Sequence, residues 1–143
     1  MARVLIELPQ EWLFRARLAV RVADVNYGGH LGNDRVLGLA HEARVVWLSS
    51  LGLSEKDVGG AGLIMADAAL VFRAEAFLGD ELDVDLGVTE VRRSGFELVY
   101  RLTRVSDGAV IAVVKTGMVC FDYAARKVAR VPESFAVRLG ARA

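Results

Sequence analysis

The chain reads as an α+β protein in which one long helix precedes a run of antiparallel strands, and three observations predict it. Residues 33–51 carry apolar side chains at helical spacing. Later stretches alternate apolar and polar residues between tight turns, the mark of half-buried strands. Between the first strand-like stretch and the helix lies Asp24-Val25-Asn26-Tyr27-Gly28-Gly29-His30-Leu31-Gly32-Asn33-Asp34, which fits neither pattern. Its two carboxylates, two carboxamides and histidine among three glycines suit a loop that holds polar groups against a ligand. Glycines admit close backbone approach, and a following helix start leaves N–H groups unpaired. With 143 residues the expectation is a single domain over 1–143.

Taken in order, Val4 to Leu8 is β-prone but ends at Pro9, which makes it an edge segment or a loose arm. Residues 12–22 alternate, with Trp12, Phe14, Ala16, Leu18, Val20 and Val22 opposed to Arg15, Arg17 and Arg21, a strand with one wet face. After the polar loop, Asn33 or Asp34 can cap a helix whose apolar face is Val36, Leu39, Ala40, Ala43, Trp47 and Leu51, stopped by Gly52. Leu37, Val45, Val46 and Leu48 lie elsewhere around its circumference, so the helix is expected to be wrapped. Its polar line is Arg35, Glu42 and Ser49, and Gly38, one turn before Glu42, leaves room beside that carboxylate.

Ser54-Glu55-Lys56-Asp57 has the form of a capped helical turn before Gly59-Gly60, with only strands expected beyond it. Residues 63–76 place Ile64, Ala66, Ala68, Leu70 and Phe72 on one face, and the small residues at 66 and 68 suggest a helix packed closely over them. Leu82, Val84, Leu86 and Val88 alternate with Asp83, Asp85 and Thr89; Phe96, Leu98, Tyr100 and Leu102 alternate with Glu97, Arg101 and Thr103. Gly79-Asp80, Arg92 to Gly95 and Ser106-Asp107-Gly108 are the turns. Residues 109–121 are apolar on both faces, as a central strand is.

Composition narrows the function. Basic and acidic residues number 18 each, so no global charge excess points to nucleic acid. No apolar run approaches the roughly 20 residues of a membrane span, and the N-terminus has no signal-peptide character, so a soluble, cytoplasmic protein is expected. Cys120 is the only cysteine, which excludes an internal disulfide. The apolar fraction of 54% suggests surface covered by another subunit. No metal site is expected, because His30 and His41 stand far apart in sequence and Cys120 has no partner. Gly28-Gly29 lacks the lysine of a phosphate-binding loop. No cofactor is implied.

Asp24, Asn26, Gly29, His30 and Asn33, followed by Glu42-Ala43-Arg44, resemble the loop-and-helix motif of the hotdog-fold thioesterases, in the branch of 4-hydroxybenzoyl-CoA and YbgC-like acyl-CoA thioesterases. Gly79-Asp80-Glu81-Leu82 and Arg93-Ser94-Gly95-Phe96 resemble that branch's later turns, and the likeness spans roughly 12–135. The resemblance implies a central helix wrapped by a curved antiparallel sheet of about five to six strands. It also implies sheets joined edge to edge in a homodimer or homotetramer, with acyl-thioester sites at the subunit interface. The partner would be an acyl-CoA or acyl carrier protein thioester. In many members the second acidic residue of the loop motif is the catalytic carboxylate; here it is Asn26, and an amide neither attacks a thioester nor deprotonates water.

Thioester hydrolysis needs a carboxylate and donors aimed at the developing oxyanion. The Asn33 N–H at the helix start is the donor by resemblance and by the helix dipole. Asp24 reads either as the working carboxylate or as a former of the loop turn. Glu42 reads either as that carboxylate or as an arginine's partner. Asn26 can hold a carbonyl or a water, while Tyr27, Gly28, Gly29 and His30 line the loop and Arg92 and Arg93 can meet CoA phosphates. His41 reads as interface or core. An acyl-CoA thioesterase leads; the alternatives are a non-catalytic acyl-thioester binder and, less favoured, a dehydratase or hydratase.

Overall fold

The computed structural model describes residues 3–140. Strand β1 (Trp12–Ala19) is followed by a 3-10 turn at Val22–Asp24 and helix α1 (Asn33–Ser50). Strands β2 (Gly62–Phe72), β3 (Glu81–Val91), β4 (Gly95–Arg104), β5 (Val110–Asp122) and β6 (Lys127–Val128) precede helix α2 (Glu133–Arg138). The sheet is antiparallel in the order β1-β3-β4-β5-β2, with β6 pairing to β5. Among the described residues no helix is long and apolar enough to cross a membrane.

Alternation builds the sheet as expected. Leu82, Val84 and Leu86 of β3 and Phe96, Leu98, Tyr100 and Leu102 of β4 point into the core. Their neighbours Asp83 and Asp85 face Arg17 and Arg15 of β1, paired in register and bonded at 3.0 and 2.7 Å. Strand β5 is mostly buried and lies inside the sheet, paired along both edges: Val114 stands opposite Tyr100 of β4 and Leu70 of β2.

Helix α1 lays Val36, Leu39, Ala40, Ala43, Trp47 and Leu48 into this core. Gly52, at φ 73°, ends it in the left-handed conformation that glycine adopts without strain. Its N-cap is Gly32, with no side-chain bond, so neither Asn33 nor Asp34 caps it: both already lie inside the first turn. The wrapping is one-sided within the chain, since Gly38, His41, Val45 and Val46 are exposed. Gly38 is costly in such a place, about 1 kcal/mol against alanine in a helix interior. Among the described residues nothing outside its own helix turn crowds it, because a Cβ there would meet no such atom within 4 Å.

Several expectations are corrected. The first strand ends at Ala19, and Val22 leaves its inner face for solvent, because the chain turns through Val22–Asp24 to reach the helix. Of the two readings of Val4–Leu8, the edge strand is not formed and the segment has no regular structure, as a loose arm would. Ser54 and Asp57 close a tight turn by mutual backbone bonds at 3.1 Å rather than a helical turn. No helix covers Ala66 and Ala68: β2 is an edge strand, it stops at Phe72, and both alanines are exposed beside a bulge between Met65 and Asp67. A helix also follows the strands. Phe135 of α2 packs edge-on to Phe96 at 5.5 Å and against Trp47 at 6.0 Å, closing one end of the core.

One buried polar chain crosses the core. Arg44, on the inner side of α1, donates from Nη1 to Tyr100 Oη at 2.9 Å, and that hydroxyl lies 2.8 Å from Thr116 Oγ1. Arg44 Nη2 is 3.5 Å from Glu55 Oε2, whose other oxygen is 2.7 Å from His41 Nε2.

Candidate active site

The polar loop is a small hairpin sprung from the end of β1. Val25 and Leu31 pair, the Asn26 N–H donates to the His30 carbonyl at 3.0 Å, and the Gly28 N–H donates to Asn26 Oδ1 at 2.9 Å. Gly29, at φ 77°, makes the reversal. Tyr27 stands fully exposed at the tip.

Asp24 is the hinge of this loop. Its Oδ2 accepts the Arg21 N–H at 2.9 Å, while its carbonyl accepts the Gly32 N–H at 2.9 Å. The second bond pins the buried Asp24 beside the start of α1. Asn33 is the first residue of that helix, and among the described residues its N–H has no acceptor. The N-terminal end of an 18-residue helix therefore presents a free donor with the positive end of the helix dipole behind it.

A cleft of about 530 Å³ opens here, lined by Val22, Asp24, Asn26, Tyr27, Asp34 and Arg35 among others. A second cleft of about 360 Å³ continues along α1 and shares Asp24 and Arg35 with the first. It holds Arg21, Gly38, Glu42 and Val45. Glu42 Oε1 lies 3.8 Å from Arg21 Nη2, and Arg21 Nε lies 3.7 Å from Asp24 Oδ2.

Asp24, Asn26, Tyr27 and the helix start thus come together, with Glu42 in the adjoining cleft. Gly28, Gly29 and His30 shape the hairpin without lining either cleft. His30 instead pairs with Phe77 through the backbone and sits 4.0 Å from Glu75. Arg92 and Arg93 lie at a separate cleft of about 520 Å³, with Asp67, Ser94 and Gly117. Arg92 is held by Glu90 at 3.0 Å and Glu97 at 3.1 Å, whereas Arg93 makes no ion pair among the described residues. Arg21 escaped the sequence reading because β-alternation assigned it to a wet strand face; its place ahead of an Asp-containing turn was the available signal.

The arrangement offers a free amide donor at the helix start, a carboxylate in the cleft wall held by the Arg21 N–H, and a carboxamide whose oxygen is occupied and whose NH2 has no acceptor among the described residues. Such a set can hold a carbonyl and activate a water in front of it.

A profile of the thioesterase-like superfamily matches residues 20–139. A 1,4-dihydroxy-2-naphthoyl-CoA hydrolase of Synechocystis is 32% identical over 117 residues, covering 80% of this chain and 85% of that protein. The hydrolase of the same name from Synechococcus elongatus is 23% identical over 84% of this chain and 90% of that protein. A solved 1,4-dihydroxy-2-naphthoyl-CoA thioesterase from Synechocystis superposes with a TM-score of 0.80 at 29% identity, covering 89% of this chain and 95% of that one. A Staphylococcus aureus protein solved in complex with CoA shares the fold, with a TM-score of 0.80 at 18% identity over 95% of this chain and 86% of that one.

Proposed function

The chain belongs to the thioesterase-like superfamily, and from that premise we propose that it hydrolyses an acyl-CoA thioester to the free acid and CoA, with an aromatic acyl group as the preferred substrate. One observation carries the reading at the level of the site. The unpaired Asn33 N–H heads α1 between Gly32 and Asp34, which line the cleft, and the Asp24 carbonyl bond to Gly32 holds Asp24 in the wall of that same cleft. The names of the relatives support CoA thioesters and an aromatic acyl group.

In the proposed reaction the thioester carbonyl oxygen accepts the Asn33 N–H, with the Asn26 NH2 as a second donor. Asp24 Oδ1 takes a proton from water as the water oxygen bonds to the carbonyl carbon. The tetrahedral oxyanion is stabilised by those donors and the helix dipole. Its collapse breaks the C–S bond, and the departing thiolate recovers the proton from Asp24. Arg93, and Arg92 beside it, are proposed to meet CoA phosphates. The unpaired edge of β2 and the exposed side of α1 support a homodimer or homotetramer with the site completed near a subunit boundary.

The test is thiol release from aryl- and alkyl-CoA thioesters, run beside calorimetric titration with a hydrolysis-resistant acyl-CoA analogue. Turnover with release of one thiol per ester is expected. Tight binding of the analogue with no thiol release from any ester would turn the assignment to a non-catalytic acyl-thioester binder.

A further inference from the structure

The turn Gly79-Asp80-Glu81-Leu82 has no part in the chemistry assigned to the cleft, yet the hairpin carrying Asp24 and Asn26 rests on the segment that leads into it. The Leu31 N–H donates to the Ala76 carbonyl at 2.7 Å, and His30 pairs with Phe77 through the backbone. Leu31 is followed by Gly32, whose N–H holds the Asp24 carbonyl at 2.9 Å, and then by Asn33. The position of Ala76 is thus passed through two backbone bonds to residues on both sides of the cleft.

Burial does little to fix that support. Between Phe72, where β2 stops, and Glu81, where β3 starts, Ala76 is the one buried residue, and Phe77 and Leu78 are exposed. Backbone bonds tie the two ends of the segment. The Arg73 and Ala74 N–H groups donate to the Ile111 carbonyl at 2.8 and 3.2 Å, and the Gly79 N–H donates to the Val20 carbonyl at 2.9 Å. Its middle is held by one side chain. Arg104, the last residue of β4, donates from Nη1 to the Glu75 carbonyl at 2.7 Å and to Asp80 Oδ2 at 3.2 Å. The same Oδ2 accepts the Phe77 N–H at 2.9 Å. Asp107 takes the other edge of the guanidinium, Nε at 3.0 Å and Nη2 at 3.1 Å, which leaves Nη1 aimed at the segment. A planar guanidinium serves a carboxylate fork and a carbonyl together, whereas an ammonium is a single point on a flexible stem.

We propose that Arg104, aimed by Asp107 and joined to Asp80, positions the hairpin of the thioester site by clamping Glu75 and Phe77 on either side of Ala76. The proposal rests on the thioester reading of that site. Arg104 is a positioning residue: it acts through Ala76, Leu31 and Gly32 and touches no substrate. A displaced support shifts the Asn33 N–H and the Asp24 carboxylate relative to each other. Small misplacements of this kind weaken interactions made in the transition state, so the loss falls on kcat.

The test measures thiol release and amide hydrogen exchange on the full chain. Arg104→Gln should lower kcat for an acyl-CoA about 10-fold or more, with KM within about threefold of the parent. The Leu31, Gly32 and Phe77 amides should exchange about 10-fold faster in that variant, while the amides of β5 keep the protection they have in the parent. Arg104→Lys keeps the charge but cannot serve Asp107 and the segment together, and its kcat should fall between the two. Asp107→Asn leaves Arg104 in place and loosens only its aim, so it should show the same pattern at smaller size and serves where Arg104→Gln does not fold. Unchanged kcat in these variants overturns the clamp, as does a loss confined to KM, which makes Arg104 a substrate contact. Faster exchange spread evenly over the sheet also overturns it, because Arg104 is then an ordinary stabilising residue. A parent chain that releases no thiol from any ester overturns the catalytic reading, and the exchange pattern then decides the clamp alone.

Discussion

The guanidinium of Arg21 lies 3.8 Å from Glu42 Oε1, and the same group reaches to within 3.7 Å of Asp24 Oδ2. One solvent-exposed cation is therefore shared by the two carboxylates that can serve the chemistry, one on the loop and one on the helix. Exposed pairs of this kind contribute little to folding, typically under about 1 kcal/mol. Arg21→Gln is accordingly expected to leave the urea midpoint almost unchanged and to lower kcat/KM for an acyl-CoA by about tenfold, about 1.4 kcal/mol of lost orientation. Loss of stability without loss of activity contradicts that role.

Arg92 and Arg93 are adjacent in sequence and unlike in situation. Arg92 is already engaged by Glu90 and Glu97, which hold its guanidinium above the usual arginine range, the Glu97 hydrogen bond contributing most. Arg93 is exposed and free of carboxylates among the described residues. Arg93→Ala should therefore raise KM for acyl-CoA by about 10-fold with kcat little changed, an effect that shrinks as salt rises. Arg92→Ala should do less. Equal KM effects from the two variants would place the phosphates elsewhere.

The Arg44–Tyr100–Thr116 chain predicts how stability responds to base. Burial pushes the Tyr100 hydroxyl above its ordinary value of 10.0, with Arg44 and Thr116 opposing in part. Burial likewise pushes the Cys120 thiol up to about 11 from 9.0. Both groups stay protonated in the folded chain while the unfolded chain ionises, so their contributions are complete below the unfolded values and are lost as pH rises. Stability should decline from about pH 9 upward, first through Cys120 and then through Tyr100. Cys120→Ala should flatten the limb between pH 9 and 11, and Tyr100→Phe should flatten it above pH 10. At neutral pH Tyr100→Phe should also cost about 1–3 kcal/mol, because Arg44 Nη1 loses its buried acceptor. Denaturant melts across this range measure both.

The features legible in the sequence were those written in short-range periodicity. The i, i+3, i+4 pattern located α1, strict alternation set the inward faces of β3 and β4, and double-sided apolarity marked β5 as central. Features that depend on distant partners were not legible. Arg44 and Tyr100 are 56 residues apart, so nothing local marks the arginine as a buried donor. Helix α2 is six residues long, too short for periodicity, and is held by Phe135 meeting Phe96 and Trp47. At the site, the residue types of the loop were readable, but the bond from Gly32 to the Asp24 carbonyl, which aims that loop, is a product of the folded hairpin.

Strand β2 leaves one edge unpaired among the described residues, with Ile64 and Met65 exposed on it. Long apolar edges invite pairing with another chain. Sedimentation should give a dimer or larger species at micromolar concentration, and Ile64→Lys combined with Met65→Lys should move it toward monomer. A parent chain that sediments as a folded monomer removes the proposed subunit boundary.

The carboxylate that works in place of the one missing at position 26 is decided by comparing three single variants and one double variant. Asp24→Asn keeps shape while removing the proton acceptor, and kcat should fall by a factor of about 100 or more. The Arg21 N–H bond to Oδ2 can persist to the amide oxygen, so a folding defect is not the expected cause. Glu42→Gln should then lower kcat by less than about threefold. If Glu42 carries the chemistry, the two results exchange places. Asn26→Asp adds a carboxylate to the cleft, where Asn26 Oδ1 already accepts the Gly28 N–H and can continue to do so as a carboxylate oxygen. Its second oxygen replaces the NH2 assigned to the thioester carbonyl, so a rise in kcat means that the base gained at this position outweighs the donor lost. A rise that survives in the Asp24→Asn, Asn26→Asp double variant shows that position 26 can supply the base unaided. Full activity in both Asp24→Asn and Glu42→Gln sinks both assignments and leaves Asp34, the other carboxylate lining the cleft at the start of α1, as the one to test.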